Sequence, residues 1–319
     1  MILLRSSLVV ALWTALVAAG GQDDRPLPDR ATFLEEARKR LTSDEELQSQ
    51  YTFKERRIKL SQTADGSYEP EETRLYEVYP SLVPDLTYLR LVQSDGRPTP
   101  ARELLEADRR QLAQLSDYVR RVRSESTSAR QRRLAKEEEA LATDKVMIQD
   151  VVSVLQFDLV RRETLGGRST IVIEFGPVEH PKPATREGKV VSHFRGLVWV
   201  DEEELQVVRA EAEAIDTISF GLGIVARLHD NLRGEFVRRQ VADGTWLPAR
   251  AELTGTGRML LFKKLDLAWI YEYFDYERID PASPPRFIAL PGDVRPEPRR
   301  LLAPPSAADP SARCVARHP

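Results

Sequence analysis

The sequence predicts an α+β protein dominated by one large antiparallel sheet, and three observations carry that prediction. Between residues 157 and 280, apolar and charged residues alternate in a run of hairpins. Between 101 and 156 the chain has 11 basic and 10 acidic residues, no proline and no glycine, with apolar residues at helical spacing. Near Asp29 a lone amphipathic segment carries Phe33, Leu34, Ala37 and Leu41 three to four residues apart, as a short helix packed on another element would.

Composition narrows the function classes. The 319 residues are 41% hydrophobic and 30% charged, with 47 Lys+Arg against 50 Asp+Glu, a net charge of -3 and a mean hydropathy of -0.40. A multi-span membrane protein and a small stapled scaffold are excluded, and no global field draws the chain to nucleic acid or an anionic bilayer. The single cysteine, Cys314, excludes an internal disulfide and a thiolate metal cluster.

Residues 1–20 read as a signal peptide. Arg5 gives a basic start, residues 8–17 an apolar run too short to span a bilayer, and Ala18-Ala19-Gly20-Gly21 a small-residue cleavage region. An uncleaved anchor is the alternative. The folded body is expected over 21–280, with 101–156 as a helical insertion. The last 39 residues, 281–319, hold 10 of the 21 prolines and are expected to be a loose tail.

Along the body, residues 51–60 and 73–79 read as strands around a Thr63-Ala64-Asp65-Gly66 turn, with 86–92 as a weaker third. In the insertion, Leu105, Leu112, Leu115, Val119 and Val122 form one stripe and Leu134, Leu141, Ile148 and Leu155 another, with a break at 124–128. Arg130, Arg132 and Arg133 precede Glu137, Glu138 and Glu139 by about one turn, so i,i+4 pairing neutralises them and a solvated helix face is expected rather than a nucleic-acid arm. Gly166-Gly167 turns one hairpin. In the next, a connection at 201–205 sets Val198 opposite Val208, Gly196 opposite Ala210 and Phe194 opposite Ala212, with Arg209, Glu211 and Glu213 on the other face. The Asp243-Gly244-Thr245 turn sets Val237 opposite Ala251 and continues the small apolar face through Leu247, Ala249 and Ala251. Residues 259–278 alternate Trp269, Tyr271 and Tyr273 against Ile270, Phe274 and Tyr276, with a bend expected at 263–266.

Catalytic motifs do not appear. His180, His193, His229 and His318 share no metal-ligand spacing, there is no Gly-x-Ser-x-Gly, and Gly166-Gly167-Arg168-Ser169 lacks the lysine and spacing of a phosphate loop. The acidic run 201–204 reads as a solvated turn. No enzyme activity, cofactor or metal is therefore expected; an enzyme reading would need His193 or His229 beside a buried carboxylate in a cleft. One segment, 215–226, is apolar and carries Gly221 and Gly223. It reads either as a buried connecting strand or core turn, or as a mobile apolar loop beside a ligand cavity.

Phe194-Arg-Gly-Leu-Val-Trp-Val-Asp201 with Leu205-Gln-Val-Val-Arg-Ala-Glu211, Val241-Ala-Asp-Gly-Thr-Trp-Leu-Pro248 and Tyr271-Glu-Tyr-Phe-Asp-Tyr276 resemble the periplasmic lipoprotein-carrier (LolA-like) half-barrel superfamily over roughly residues 30–280. Ile215-Asp-Thr-Ile-Ser-Phe-Gly221 is similar to an exported bacterial branch of it. The resemblance implies a periplasmic protein whose sheet is curved into an open half-barrel, packed by the N-terminal helix and the insertion, with acyl chains of lipids or lipoproteins held on the apolar face. The cavity would be lined by Phe194, Val198, Val208, Ala210, Ala212, Leu247, Ala249 and Ala251, with Phe220 and Leu222 as its gate. The long helical block, the Pro-rich tail and the lack of an anchoring cysteine after the signal depart from the family pattern and favour a soluble carrier, peripheral at most to a membrane. The alternative is an envelope protein-interaction or sensing module without a small-molecule ligand, docking a protein partner through 101–156. Nucleic acid is not an expected partner.

Overall fold

The computed structural model describes residues 25–81, 86–220, 226–259, 263–280 and 287. The signal segment, Leu222 and all of the tail but Phe287 lie outside them. α1 (Arg30–Lys39) begins where Asp29 accepts hydrogen bonds from the Thr32 amide at 2.9 Å and hydroxyl at 2.7 Å. It ends on Arg38 and Lys39, the charge sign its dipole favours there. A short α2 (Asp44–Gln48), capped by Ser43, has three acidic residues in its first turn.

Next come β1 (Tyr51–Gln62), β2 (Tyr68–Tyr79), β3 (Tyr88–Ser94) and the two-residue β4 (Arg97–Pro98). The insertion forms α3 (Ala101–Arg123) and α4 (Thr127–Ser153), separated where Ser126 caps α4. After it come β5 (Leu155–Leu165), β6 (Arg168–Pro177), α5 (Arg186–Val191), β7 (Phe194–Asp201) and β8 (Val207–Ala214). β9 (Ile218–Phe220), β10 (Ala226–Leu228), β11 (Arg233–Gln240), β12 (Trp246–Met259) and β13 (Lys263–Arg278) complete the chain.

These strands build one antiparallel, 13-stranded sheet in the order β4-β3-β2-β1-β13-β12-β11-β8-β7-β6-β5, with β10 pairing both β9 and β12. The fold is α+β, as the sequence predicts, and the sheet is open, consistent with a half-barrel. β4 and β5, successive in the chain, sit at opposite edges. Ten strand intervals at about 4.8 Å put those edges about 48 Å apart along the sheet. α3 and α4 are about 35 and 40 Å long at 1.5 Å per residue, so the insertion is the connection that the strand order demands.

The register divides the sheet into two faces. On one lie Ile173, Val198, Ala210, Phe236, Ala251 and Tyr271, each the cross-strand partner of the next. On the other, one residue away along each strand, lie Leu197, Glu211, Glu235, Glu252 and Ile270. α1 covers the apolar face at the β5–β7 side: Phe33, with Leu34 and Ala37, packs on Ile171, Ile173 and Val200. α2 joins the same face through Arg238–Asp44 at 2.5 Å and Gln48–Tyr276 at 2.8 Å. α3 takes the charged face instead. Its buried Asp108 accepts from Arg90, which also binds Glu77, and its Leu115 and Val119 pack on Leu86.

Several details differ from the sequence expectation. In the β7–β8 hairpin Val198 faces Ala210, Gly196 faces Ala212 and Phe194 faces Ala214, two residues from the expected pairing, with a bulge at Trp199/Val200. The shift is even, so the side chains keep their faces. In β11–β12, Phe236 rather than Val237 faces Ala251: the turn pairs Gln240 with Trp246, two residues from the expected register, and a second bulge at Val237/Arg238 moves the ladder back by one. Residues 259–278 are not one run: Met259 ends β12 and faces Lys263, where β13 begins, and β13 continues unbroken through the bend expected at 263–266. Tyr276 leaves the side of Ile270 and packs on Phe53, 5.1 Å between ring centroids, because Asp275 takes a left-handed φ of 54° at a bulge. Phe287, in the segment expected to be loose, is buried 4.9 Å from Tyr79 and 5.1 Å from Tyr88.

Gly196 is where β7 and β8 approach most tightly: a Cβ there would lie 1.8 Å from the Glu211 carbonyl oxygen and 2.9 Å from the Phe175 ring. Gly196→Ala is therefore expected to lower stability by about 3 kcal/mol in urea denaturation. At Gly176→Ala, where the new Cβ would meet only Arg195 Cβ at 3.8 Å, stability is expected to change by less than about 1 kcal/mol.

Candidate functional site

The apolar face carries two adjacent cross-strand rows. Phe157, Phe175, Gly196, Ala212, Gly234, Leu253 and Trp269 form one; Leu159, Ile173, Val198, Ala210, Phe236, Ala251 and Tyr271 form the other. Toward β5 the rows are covered by α1. At the Phe194 end of the strands Ile218 and Leu232, 0% and 4% exposed, pack with Ala214, Phe194, Leu228, Leu253 and Leu267. Leu232 also fills the space above Gly255, where a Cβ would come within 2.8 Å of it. Between these covers Ala210, Ala212, Gly234, Phe236 and Ala251 are only half-buried. Small side chains flanked by Phe175, Leu253 and Tyr271 leave a shallow apolar strip across β7, β8, β11 and β12.

The sequence-predicted lining divides accordingly. Ala210, Ala212 and Ala251 lie together on the strip, with Val198 at its α1 border and Phe194 at its Leu232 border. Val208 is the unpaired residue of the β8 bulge and is buried. Ala249 occupies the β12 bulge, which shifts the strand's phase, so Leu247 pairs with Arg239 off the strip and is 0% exposed. Phe220 ends β9, paired with Ala226; Leu222 lies outside the described residues. Gly234 and Phe236 went unnoticed because Arg233–Gln240 holds four charges in eight residues and masks the alternation of its small inner face.

Among the described residues the insertion makes its main contacts away from the strip: α3 is on the charged face near β3, and the main contacts of α4 are with α5 and β5. A cleft of about 700 Å³ also opens on the charged face, lined by Glu174, Arg195, Leu197, Glu211, Glu213, Arg233, Glu235, Glu252 and Thr254.

The acidic turn after β7 is not solvated, contrary to expectation. Asp201, with a side chain 2% exposed, accepts from Arg168 at 2.6 and 3.0 Å and from the amides of Glu203 and Glu204. Glu202 takes both ends of the buried Arg162 guanidinium, at 2.9 and 2.6 Å, and Arg162 also donates to the carbonyls of Arg25 and Pro26. Glu204 accepts from Arg168 and from the Trp246 indole at 2.6 Å. These three carboxylates hold the turn to its neighbours, while Glu203 is exposed as expected. Among the described residues no group of three or more His, Cys, Asp or Glu could hold a metal ion. His193 meets Asp216 at 2.5 Å, but that carboxylate is 59% exposed, not buried.

No family model matches the chain, and no curated protein matches it. The chain is similar to several solved structures. A LolA-superfamily protein of Nitrosomonas europaea is 10% identical, over 80% of this chain and 95% of that one, with a TM-score of 0.29. A DUF1329-family protein of Desulfovibrio piger is 11% identical, over 79% and 94%, at 0.27. An outer membrane lipoprotein-sorting protein domain of Vibrio parahaemolyticus is 11% identical, over 77% and 91%, at 0.28. These likenesses span most of both chains at low identity and low score.

Arg162 holds Glu202 below the usual carboxylate range. Burial pushes Asp201 up, but Arg168 and the turn amides outweigh it, and its carboxyl is held low as well. Both contributions are complete above the ordinary carboxylate range and are lost as pH falls through the lowered values, so Tm is expected to hold from about pH 7 to 5 and to drop below about pH 4. Arg162→Ala, which strands a half-buried carboxylate, is expected to cost about 3–5 kcal/mol. Arg162→Met with Glu202→Met is expected to recover most of it in the same urea titration, because both charges are then gone.

Proposed function

We propose that this chain is an exported, periplasmic binding protein that shelters an acyl chain of a lipid or lipoprotein on the apolar strip of its sheet. The observation that carries the reading is the set of half-buried small residues Ala210, Ala212, Gly234 and Ala251 around Phe236, lying between α1 and Leu232. A strip of this kind needs no catalytic group. Each buried methylene is worth about 0.8 kcal/mol, so a dozen would contribute on the order of 10 kcal/mol before ordering costs. Among the described residues no helix is long and apolar enough to cross a membrane. Ile218 of β9 is buried at the border of the strip.

A protein-interaction role is the second reading, favoured by Leu105, Leu134 and Val146, which are 45–53% exposed on α3 and α4. A partner docking there leaves the strip free, so the two roles are separable.

Protein expressed with its own leader and recovered from the periplasm is expected to carry a lipid in native mass spectrometry and, once delipidated, to take up a fluorescent fatty acid. Ala210→Trp with Ala251→Trp is expected to lower that uptake at least tenfold while far-UV circular dichroism stays unchanged. Glu213→Gln on the opposite face should leave uptake as it is. Protein that arrives empty and takes up no fatty acid would sink the carrier reading.

A further inference from the structure

The charged face of the sheet carries the cleft bounded by Glu174, Glu211 and Glu252. We propose that the arginine-rich segment 288–319 docks into this cleft and covers the charged face of the sheet. The inference is independent of acyl binding, which uses the other face.

The cleft is short of cations. Five glutamates face two arginines in its lining. Glu211, Glu235 and Glu252 are direct cross-strand partners, an arrangement of like charges that costs stability unless cations intervene. Arg209 serves both Glu211 and Glu235, Arg195 serves Glu213, and Arg250 divides itself between Glu252 and Glu272. Glu174 is exposed and makes no ion pair among the described residues.

The segment supplies what the cleft lacks. Residues 288–319 contain Arg295, Arg299, Arg300, Arg313 and Arg317 against Asp293, Glu297 and Asp309. Guanidinium forks are the groups best matched to paired carboxylates. Leu301 and Leu302 follow the Arg299-Arg300 pair and suit Leu197 in the cleft lining. The segment also starts on the correct face. Phe287 is seated between Tyr79 and Tyr88, which alternate along their strands with Glu77 and Arg90 on the charged face. From β2 to β12 there are three strand intervals, β1, β13 and β12 in turn, or about 15 Å across the sheet. Arg299 is 12 residues beyond Phe287, a reach of up to about 40 Å.

The test places the photo-crosslinking residue p-benzoylphenylalanine at Leu301 in the full chain and maps adducts by mass spectrometry. Docking predicts intramolecular adducts at Arg195, Leu197, Glu211, Glu213, Glu252 or Thr254. Their yield is expected to fall at least fivefold in Glu174→Gln with Glu252→Gln, and likewise for unaltered carboxylates in 1 M sodium chloride. The salt series needs no variant to fold. Adducts confined to the apolar face, no adduct in the cleft, a yield indifferent to salt, or adducts only between two chains would each overturn the proposal; the last would assign the cleft to a second copy.

Discussion

One buried guanidinium joins the parts of this molecule that sequence order keeps apart. Arg162 in β5 binds Glu202 beyond β7 and the carbonyls of Arg25 and Pro26 ahead of α1. The leading segment is thereby strapped to the sheet a few residues before the helix whose Phe33 covers Ile171 and Ile173. Next to it Arg168 clamps Asp201 and Glu204, and Glu204 in turn holds the Trp246 indole of β12. Hydrogen-bonded on every side, the acidic turn draws β6, β7 and β12 together at one end of the sheet. Buried charges of this kind are costly to separate because neither partner can return to water alone.

From that clamp follows the division of labour between the faces. With α1 and α2 fixed on one side and Leu232 closing the far end, the middle of the apolar face sets alanines and glycines around Phe236. Phe175 over Gly196 and Leu232 over Gly255 show how such gaps are filled where the fold itself fills them. At Ala210, Ala212 and Ala251 the same kind of gap is left half-open, which is where a flexible apolar chain gains most from contact. The charged face is built on a different principle, rows of glutamate and arginine that stabilise the sheet only in so far as the signs balance, and at the cleft they do not.

The insertion illustrates how topology can explain a segment without giving it chemistry. β4 and β5 are neighbours in sequence and lie at opposite edges of the sheet. A connection of two long helices satisfies that geometry, and α3 is held by a local set of contacts, Asp108 to Arg90 and Tyr88 and Gln111 to the Leu86 carbonyl. Its mixed charges keep the outer surface wet.

What the sequence determined by itself was whatever depends on near neighbours in the chain. Period-two alternation identified the hairpins and their faces, so Ala210, Ala212 and Ala251 could be grouped from the sequence alone. Heptad-like spacing marked the helices, and Asp29 marked a cap. Only the tertiary structure decided the pairing. The bulges at Val208 and Ala249 shift register without changing composition, and the second turns Leu247 away from the strip. α2 and α5, of five and six residues, are too short to carry a periodic signal. The acidic turn looked solvated because its arginine partners lie 33 to 40 residues away in the chain, and Phe287 looked loose because Tyr79 and Tyr88 reach it only after the sheet has formed. Alternation is a local property of the backbone, whereas bulges, charge pairing and covering segments are fixed by contacts between distant parts of the chain.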